Sequence, residues 1–381
     1  MATETAVLQA QAPVATRLYN GFTIYGVQGI TSPIRWMRAW NEWMWPSGFA
    51  PNIVKTYDAP DQSSLFRIFF PKNYDQTSPE SLPLVFSIHG GGFCIGAAED
   101  DDRWNRQFAD THGLLVVELN YRKAPWYPFP TAVHDLEALM LAAFADESLP
   151  IDKGRVAITG FSAGGNLALS VAQLPNIRET IKPSALLPIY PAVDQSIPSG
   201  ERAKRRHYKP ELVPGIRGSP VDMLARFSPI FKWSYVNPGQ DLRDPLLSPF
   251  YAEPGSLPPN IYFVAAELDQ LAHEGWRMAC KLSGRPVPEP EDLVGQAKTA
   301  PKDGELILDN ERFAWQHDTP SGNVRWLLVP DQIHGFDHVP PRWYGHLGSW
   351  EDAQVKTGKY QALLGEWLLQ VVWKNSASRS E

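Results

Sequence analysis

The chain has 381 residues, of which 43% are hydrophobic, so it is long enough to bury a large core in one or more domains. Its formal net charge of −7 excludes a broadly basic protein, and we expect no nucleic-acid partner. The one dense basic run, Lys204-Arg205-Arg206, is typical of a solvated loop or helix face.

Cysteine usage and the N-terminal residues bear on location. The two cysteines, Cys94 and Cys280, are too few for a disulfide framework. Residues 1–22 lack a cationic stretch followed by an apolar one, which predicts no signal peptide. No window approaches about 18 consecutive apolar residues, the length of a spanning helix. We therefore expect a cytoplasmic protein without stable membrane insertion, and the sequence leaves a homodimer open.

Short β-rich apolar runs alternate along the chain with helical patterns. The runs predict strands at 64–70, 82–88, 114–121, 155–160, 184–190, 260–266 and 324–330. The helical patterns lie between or after them, at 131–146, 163–174, 271–282 and 359–373. This alternation predicts an α/β protein with a mostly parallel central sheet and helices on both faces.

Three stretches depart from the alternation and suggest how the chain is divided. We predict an N-terminal cap segment at 1–55, a first core part at 56–194, a cap insertion at 195–243, and a second core part at 244–381 that carries an irregular insertion at 284–323. In the first segment, Trp36, Trp40, Trp43 and Met44 share one helix face. A buried helix face is the commonest explanation of such a stripe, ahead of a substrate-pocket wall and of a membrane-surface contact.

The stretch GFSAGG at 160–165 lies where a predicted strand ends and a predicted helix begins. G-x-S-x-G in this context is typical of a strained turn that holds a serine Oγ clear of the sheet. Side chains at 160 and 164 would collide with the apposed strand and helix. The helix N-terminus also favours negative charge nearby. Ser162 is therefore the candidate nucleophile.

A second glycine-rich stretch, SIHGGGF at 87–93, follows an earlier predicted strand. Three consecutive glycines destabilise an ordered loop through backbone entropy, so their presence needs a reason. A flexible loop is one explanation. The other is an oxyanion hole, formed by the backbone N–H groups of Gly91 and Gly92 together with that of Ala163.

A serine hydroxyl needs a base, and the base needs an orienting acid, in the chain order serine, acid, histidine. Asp269 and His334 each follow a predicted strand, at the edge where α/β proteins build their sites. Glu267 and Asp331 are rival acids, and His338 is a rival base. A metal site at the two histidines has little support, because there is no H-E-x-x-H and no third ligand at a recognisable spacing.

Several motifs occur together in this chain. They are HGGGF (89–93), NYRKAPWYPFPTAVHD (120–135), GFSAGGNLA (160–168), PIYPAVD (188–194), DPLLSP (244–249), LPPNIYFVAAELDQL (257–271) and HGF (334–336). Over roughly residues 82–282 and 324–340, this set resembles the hormone-sensitive-lipase-like α/β-hydrolases, the HGGG-type carboxylesterases.

The resemblance implies an α/β-hydrolase fold with a helical cap, and ester hydrolysis through an acyl-enzyme without a cofactor or metal. It implies Ser162 as nucleophile, Asp269 as acid, His334 as general base, and Gly91, Gly92 and Ala163 as oxyanion donors. Two features depart from the family pattern. His273 stands where the family usually has Asp, which makes it unusual at a position that could border the site, and 284–323 is longer than the family norm.

Several candidate functions are compatible with the expected α/β-hydrolase fold. The first is a serine carboxylesterase acting on a small, partly apolar ester, because aromatic residues are frequent in the predicted cap. The alternatives are a lactone- or amide-hydrolase or an acyltransferase of secondary metabolism, and a non-catalytic ligand-binding module. Receptors of this family have lost the histidine, so His334 argues against a receptor.

Overall fold

The computed structural model describes residues 6–59, 62–77, 80–212, 215–300 and 302–374. The predicted cap segment 1–55 therefore begins, and the predicted core part 244–381 ends, outside the described residues. The strands are β1 (Ile53–Ala59), β2 (Gln62–Phe69), β3 (Leu82–Ile88), β4 (Leu115–Leu119), β5 (Ile151–Phe161), β6 (Ala185–Ile189), β7 (Asn260–Ala266), β8 (Ala314–Asp318) and β9 (Asn323–Val329).

Within the described residues these strands form one sheet in the order β1-β2-β4-β3-β5-β6-β7-β9-β8. The six central strands are parallel; in sheet order they are β4, β3, β5, β6, β7 and β9. At the two ends of the sheet, β1, β2 and β8 pair antiparallel. The prediction of a mostly parallel sheet is confirmed. It was accessible from sequence because central strands are buried on both faces and consist of nearly continuous Val, Ile and Leu.

The sequence analysis did not predict the two edge strands, β1 and β8. β1 crosses the predicted boundary between residues 55 and 56, so the first core strand begins earlier than expected. β8 lies inside 284–323, so that stretch is not irregular throughout. Both strands have a single neighbour and are largely exposed, and neither carries the long apolar run that marks a buried strand.

The helices follow the predicted alternation. They are α1 (Val14–Met44), α2 (Asp102–His112), α3 (Thr131–Phe144), α4 (Ala163–Val171), α5 (Ser199–Ala203), α6 (Met223–Tyr235), α7 (Ala272–Ser283), α8 (Pro341–Tyr344) and α9 (Leu347–Trp367). Successive side chains of a strand point to opposite faces of the sheet. In β7, Phe263 joins an apolar core with residues of α3, α4 and α7, and Val264 joins a second core with residues of α2 and α9. Helices thus cover both faces, as predicted.

The aromatic stripe of α1 is exposed. Trp36, Trp40 and Trp43 are 71%, 55% and 72% accessible, and their rings contact one another with centroids 6.0 and 5.6 Å apart. The expectation that these side chains form a buried helix face is therefore wrong. Helical spacing shows that side chains share a face but does not show what covers that face.

The buried side chain of Ile24 and several polar contacts, rather than the aromatic stripe, attach α1 to the rest of the chain. Gln28 Nε2 donates to the carbonyls of Cys94 and Ala124, both at 2.8 Å. Arg35 Nη1 donates to the carbonyl of Gly96 at 2.8 Å. These contacts hold α1 beside the glycine-rich loop that follows β3. Among the described helices, none combines the length and the apolar composition that crossing a bilayer requires.

Candidate active site

A strained turn presents the hydroxyl of Ser162. β5 ends at Phe161, α4 begins at Ala163, and Ser162 between them has φ 55° and ψ −113°, outside the regions that L-residues favour. A Cβ on Gly160 would lie 2.3 Å from the carbonyl oxygen of Gly164, and one on Gly164 would lie 2.0 Å from that of Ile88. The predicted steric reason for both glycines is therefore confirmed.

The three side chains expected to cooperate lie within hydrogen-bonding distance. His334 Nε2 is 2.8 Å from Ser162 Oγ, and His334 Nδ1 is 2.7 Å from Asp269 Oδ2. Asp269 follows β7 and His334 follows β9, and these strands are parallel neighbours in the sheet. Since a carboxylate only accepts, Nδ1–H donates to Asp269 and Nε2 accepts from the serine hydroxyl. The backbone N–H of Leu271 donates to Asp269 Oδ1 at 2.9 Å and helps to fix the carboxylate.

The charge environment of His334 favours its protonated form. Burial lowers the pKa of His334, but the attraction and hydrogen bond of Asp269, with smaller attractions from Asp222 and Asp337, outweigh burial. The net effect raises the pKa above its ordinary value of 6.5. The imidazole is therefore a stronger base than an isolated histidine, as proton removal from a serine hydroxyl requires.

The rival acids are engaged elsewhere. The buried ammonium of Lys209 donates to Glu267 at 2.7 Å and to Asp331 at 2.6 Å. The backbone N–H of Asp331 also donates to Glu267, at 2.8 Å. Both carboxylates thus belong to one buried ion cluster, and neither is hydrogen-bonded to His334. The sequence could not reveal this cluster, because Lys209 lies in a distant, irregular segment.

The rival base is held as a cation. His338 Nδ1 lies 2.9 Å from Asp337 and its Nε2 lies 3.0 Å from Asp101. Burial lowers the pKa of His338, but the two carboxylates reverse this effect and raise it well above the ordinary value. With a carboxylate at each ring nitrogen, His338 cannot act as base toward Ser162.

The glycine-rich loop lies directly beside the serine. A Cβ on Gly90 would be 3.4 Å from that of Ser162, and Gly91 and Gly92 have φ of 112° and 58°. Within the described part of the chain, the N–H groups of Gly91, Gly92 and Ala163 donate to no protein acceptor. The loop is nevertheless ordered, because the Gly91 carbonyl accepts from the N–H groups of two residues further along it, at 3.1 and 2.9 Å. Three unused donors beside Ser162 fit the expected oxyanion hole.

Two residues behind this loop had no role assigned from sequence. His89 Nδ1–H donates to the Gly90 carbonyl at 2.7 Å, so its Nε2 is left as an acceptor. Lys123 Nζ donates to that Nε2 at 3.0 Å and to Asn120 Oδ1 at 2.7 Å. Burial lowers the pKa of Lys123 well below its usual range. His89 and Lys123 thus fix the loop from its buried side.

A small cavity of about 40 Å³ opens at Ser162. Much of its wall comes from one face of α6, through Leu224, Ser228, Phe231, Lys232 and Tyr235. The sequence gave no sign of which face of this helix would meet the serine. Phe231 closes one side, since a Cβ on Gly92 would lie 2.2 Å from its ring.

His273 does not take the place expected from the family resemblance. Its Nε2–H donates to the carbonyl of Glu289 at 3.0 Å, and burial lowers the pKa of His273 to about 4. It does not line the cavity at Ser162. The expectation that it borders the site is wrong, because a neutral, buried imidazole instead attaches the stretch 284–323 to α7.

A family model and several curated proteins are similar in sequence to this chain. A family model described as the alpha/beta hydrolase fold matches residues 85–290. The chain is 33% identical over 207 residues to an arylesterase of Saccharolobus solfataricus, covering 54% of this chain and 63% of that protein. It is 39% identical over 145 residues to the arylacetamide deacetylase of Oryctolagus cuniculus, covering 35% of each. The chain thus spans less than two thirds of the length of these curated relatives.

Solved structures extend the similarity over more of the chain. An esterase from Pyrobaculum calidifontis aligns with a TM-score of 0.59 at 27% identity, covering 83% of this chain and 85% of that structure. A thermostable carboxylesterase cloned from a metagenomic library aligns with a TM-score of 0.60 at 25% identity, covering 84% and 90%.

Proposed function

The chain belongs to the α/β-hydrolase family, and on this basis we propose that it is a serine carboxylesterase that hydrolyses a small, partly apolar ester through an acyl-enzyme. The observation that carries the proposal is the hydrogen-bonded series Ser162–His334–Asp269, with contacts of 2.8 and 2.7 Å. The names of the relatives above, an arylesterase and two esterases of known structure, support the same chemistry.

Acylation is the first half of the proposed reaction. His334 takes the proton of Ser162 while Oγ attacks the ester carbonyl. The carboxylate of Asp269 keeps the ring in the tautomer whose Nε2 faces the serine, and it stabilises the imidazolium that forms. The unused N–H groups of Gly91, Gly92 and Ala163 bind the oxyanion of the tetrahedral intermediate.

Deacylation completes the cycle. The imidazolium of His334 first gives its proton to the leaving alcohol, which leaves the acyl group on Ser162. A water molecule then enters where the alcohol was and becomes the new nucleophile. His334 removes a proton from that water as its oxygen attacks the acyl-enzyme, and it passes this proton to Ser162 Oγ when the acid departs.

The same groups would act on related carbonyl compounds. The relative named arylacetamide deacetylase makes an amide the second candidate substrate class, and a lactone would react in the same way. An alcohol in place of water would give acyl transfer instead of hydrolysis. Product analysis with a competing alcohol separates these last two outcomes.

A panel of phenyl and p-nitrophenyl esters from acetate to palmitate, with a lactone and an anilide beside them, tests the proposal. We expect turnover of short esters, and a loss of at least ~10⁴-fold in kcat for Ser162→Ala, because the nucleophile is gone. Ser81→Ala, at an exposed serine before β3, is the matched control and should retain full activity. A wild-type protein that binds these compounds but turns over none would be a ligand-binding module instead.

We further propose that residues 1–55 and 195–243 act together as a cap over the site. In support, the N–H of Gln9 donates to the carbonyl of Gln240, and that of Leu242 to the carbonyl of Val7, both at 2.8 Å.

A cytoplasmic location and a homodimer also remain proposals. Cell fractionation and size-exclusion chromatography with light scattering test them.

A further inference from the structure

The cavity at Ser162 contains a cation with no carboxylate partner. Lys232 lies on the same face of α6 as Phe231, and both line the cavity. Its ammonium donates to the backbone carbonyl of Gln195 at 2.5 Å. Among the described residues, no carboxylate forms an ion pair with this ammonium, and its one hydrogen-bond acceptor is a neutral carbonyl.

The other charged groups around Lys232 are already engaged with one another. Arg202 of α5 also lines the cavity, but its Nε donates to Glu274 of α7 at 2.7 Å, and its Nη2 donates to the carbonyl of Asp194. The carboxylate of Asp194 accepts from the N–H and hydroxyl of Ser196, at 2.9 and 2.6 Å. Burial, with the repulsion of Arg202, lowers the pKa of Lys232 to about 8, although Asp194 and Glu274 attract the ammonium from beyond ion-pair distance. Lys232 is therefore mostly protonated at neutral pH.

The rest of the cavity limits what can lie beside this charge. A volume of about 40 Å³ is a few water molecules, since one water needs ~10–15 Å³ on this measure. Leu224 and Phe231 make part of the wall apolar. A wholly apolar group in this space would strip water from the ammonium and offer its remaining N–H groups no acceptor, which is costly.

We propose that Lys232 selects a short acyl group that carries a second carboxylate, so that the substrates are monoesters of small dicarboxylic acids. This inference rests on the proposed esterase function. The carboxylate would accept from Lys232 while the ester carbonyl lies at Ser162. We assign it to the acyl side because the acyl group stays bound through both half-reactions, whereas the alcohol must leave. Hydrolysis consumes one water and gives the dicarboxylate, the alcohol and one proton.

A matched pair of esters tests the assignment. Monomethyl succinate and methyl 4-methylpentanoate have nearly the same shape, but the first ends in a carboxylate and the second in an isopropyl group. Proton release in a pH-stat gives kcat/KM for each, and the ratio of the two values is the measured quantity. We expect the wild-type protein to prefer monomethyl succinate.

Lys232→Met should lower this ratio by about 10- to 100-fold, the usual worth of a hydrogen bond to a charged group. Lys204→Met removes an exposed lysine that pairs with Glu201, and it should leave the ratio unchanged. In the wild-type protein, the ratio should also fall as the pH rises past about 8, where Lys232 loses its proton. Lys232→Gln serves as the second variant if the methionine variant folds poorly.

Three outcomes overturn the inference without touching the proposed esterase function. The wild-type protein could prefer methyl 4-methylpentanoate, or hydrolyse phenyl acetate but neither methyl ester. The Lys232 variants could instead slow both esters equally, which is the result expected if the ammonium only fixes the Gln195 loop. A protein that hydrolyses no ester at all would fail the earlier test, and both proposals with it.

Discussion

Replacing Asp269 with Asn keeps the volume of the side chain but removes the charge that faces His334. The carboxylate is fully buried and accepts from Nδ1–H at 2.7 Å. An amide that turns its NH₂ toward Nδ1 forces the imidazole proton onto Nε2, which then faces Ser162 as a donor and cannot accept the serine proton. In a serine–histidine–aspartate site, this change costs on the order of 10⁴ in kcat, or about 5 kcal/mol in the barrier.

The assay is kcat/KM for phenyl acetate between pH 5 and 9, with urea unfolding as a check of stability. Because Asp269 is the main group that raises the pKa of His334, the acidic limb of the residual activity of Asp269→Asn should lie at lower pH than in the wild type. Glu311→Gln removes an exposed carboxylate and should change nothing. A folded Asp269→Asn protein within tenfold of wild-type activity would refute the role given to this carboxylate.

Three further predictions concern the wild-type pH profile, the strained turn at Ser162 and the buried ion cluster. The wild-type kcat/KM should rise with pH through an apparent pKa above 6.5, because only neutral His334 accepts a proton; full activity at pH 5 would contradict this. Gly164→Ala should abolish most activity and lower the urea midpoint, since its Cβ would meet the Ile88 carbonyl at 2.0 Å; wild-type values for both would contradict the strained turn. Lys209→Met leaves two buried carboxylates unpaired and should cost about 3–5 kcal/mol in the free energy of unfolding, against under ~0.5 kcal/mol for Lys204→Met. Equal urea midpoints for these two lysine variants would show that the cluster is not stabilising.

The parts of the site that could be predicted are those with local sequence signals. Ser162 lies in a motif in which a Cβ at Gly160 or Gly164 would lie 2.3 or 2.0 Å from a backbone oxygen. Only glycine fits at these two positions, so the sequence motif itself indicates the tight turn. Asp269 and His334 follow strands with strongly apolar sequences, and parallel strands bring their carboxyl ends to one edge. Strand order and motif spacing thus placed candidate acids and histidines at this edge, and the family resemblance indicated Asp269 and His334 among them.

The parts that could not be predicted depend on contacts between distant segments. Two ion pairs exclude the rival side chains from the site. Lys209 pairs with Glu267, and Asp101 pairs with His338, so neither rival is available to Ser162. Neither partner has a sequence pattern that connects it to the residue it pairs with. The same is true of Lys232, whose position in the cavity follows from how α6 packs on the glycine-rich loop.

The exposed stripe of α1 illustrates the same limit at a surface. The spacing of Trp36, Trp40 and Trp43 correctly predicted a shared helix face, but burial depends on what packs against that face. Here the contacts come instead from Ile24, which is buried in the apolar core, and from Gln28 and Arg35, which bond to backbone carbonyls. Periodicity predicts the orientation of side chains along a helix and not their environment.

The most direct measurement is the mass of tryptic peptides after the protein reacts with a fluorophosphonate, which phosphonylates activated serine hydroxyls. A single adduct on Ser162, formed by the wild-type protein and much more slowly by His334→Ala, is the result that an imidazole-activated nucleophile predicts. An unlabelled Ser162, in a protein that still hydrolyses esters, would mean that the reaction takes place elsewhere in the molecule.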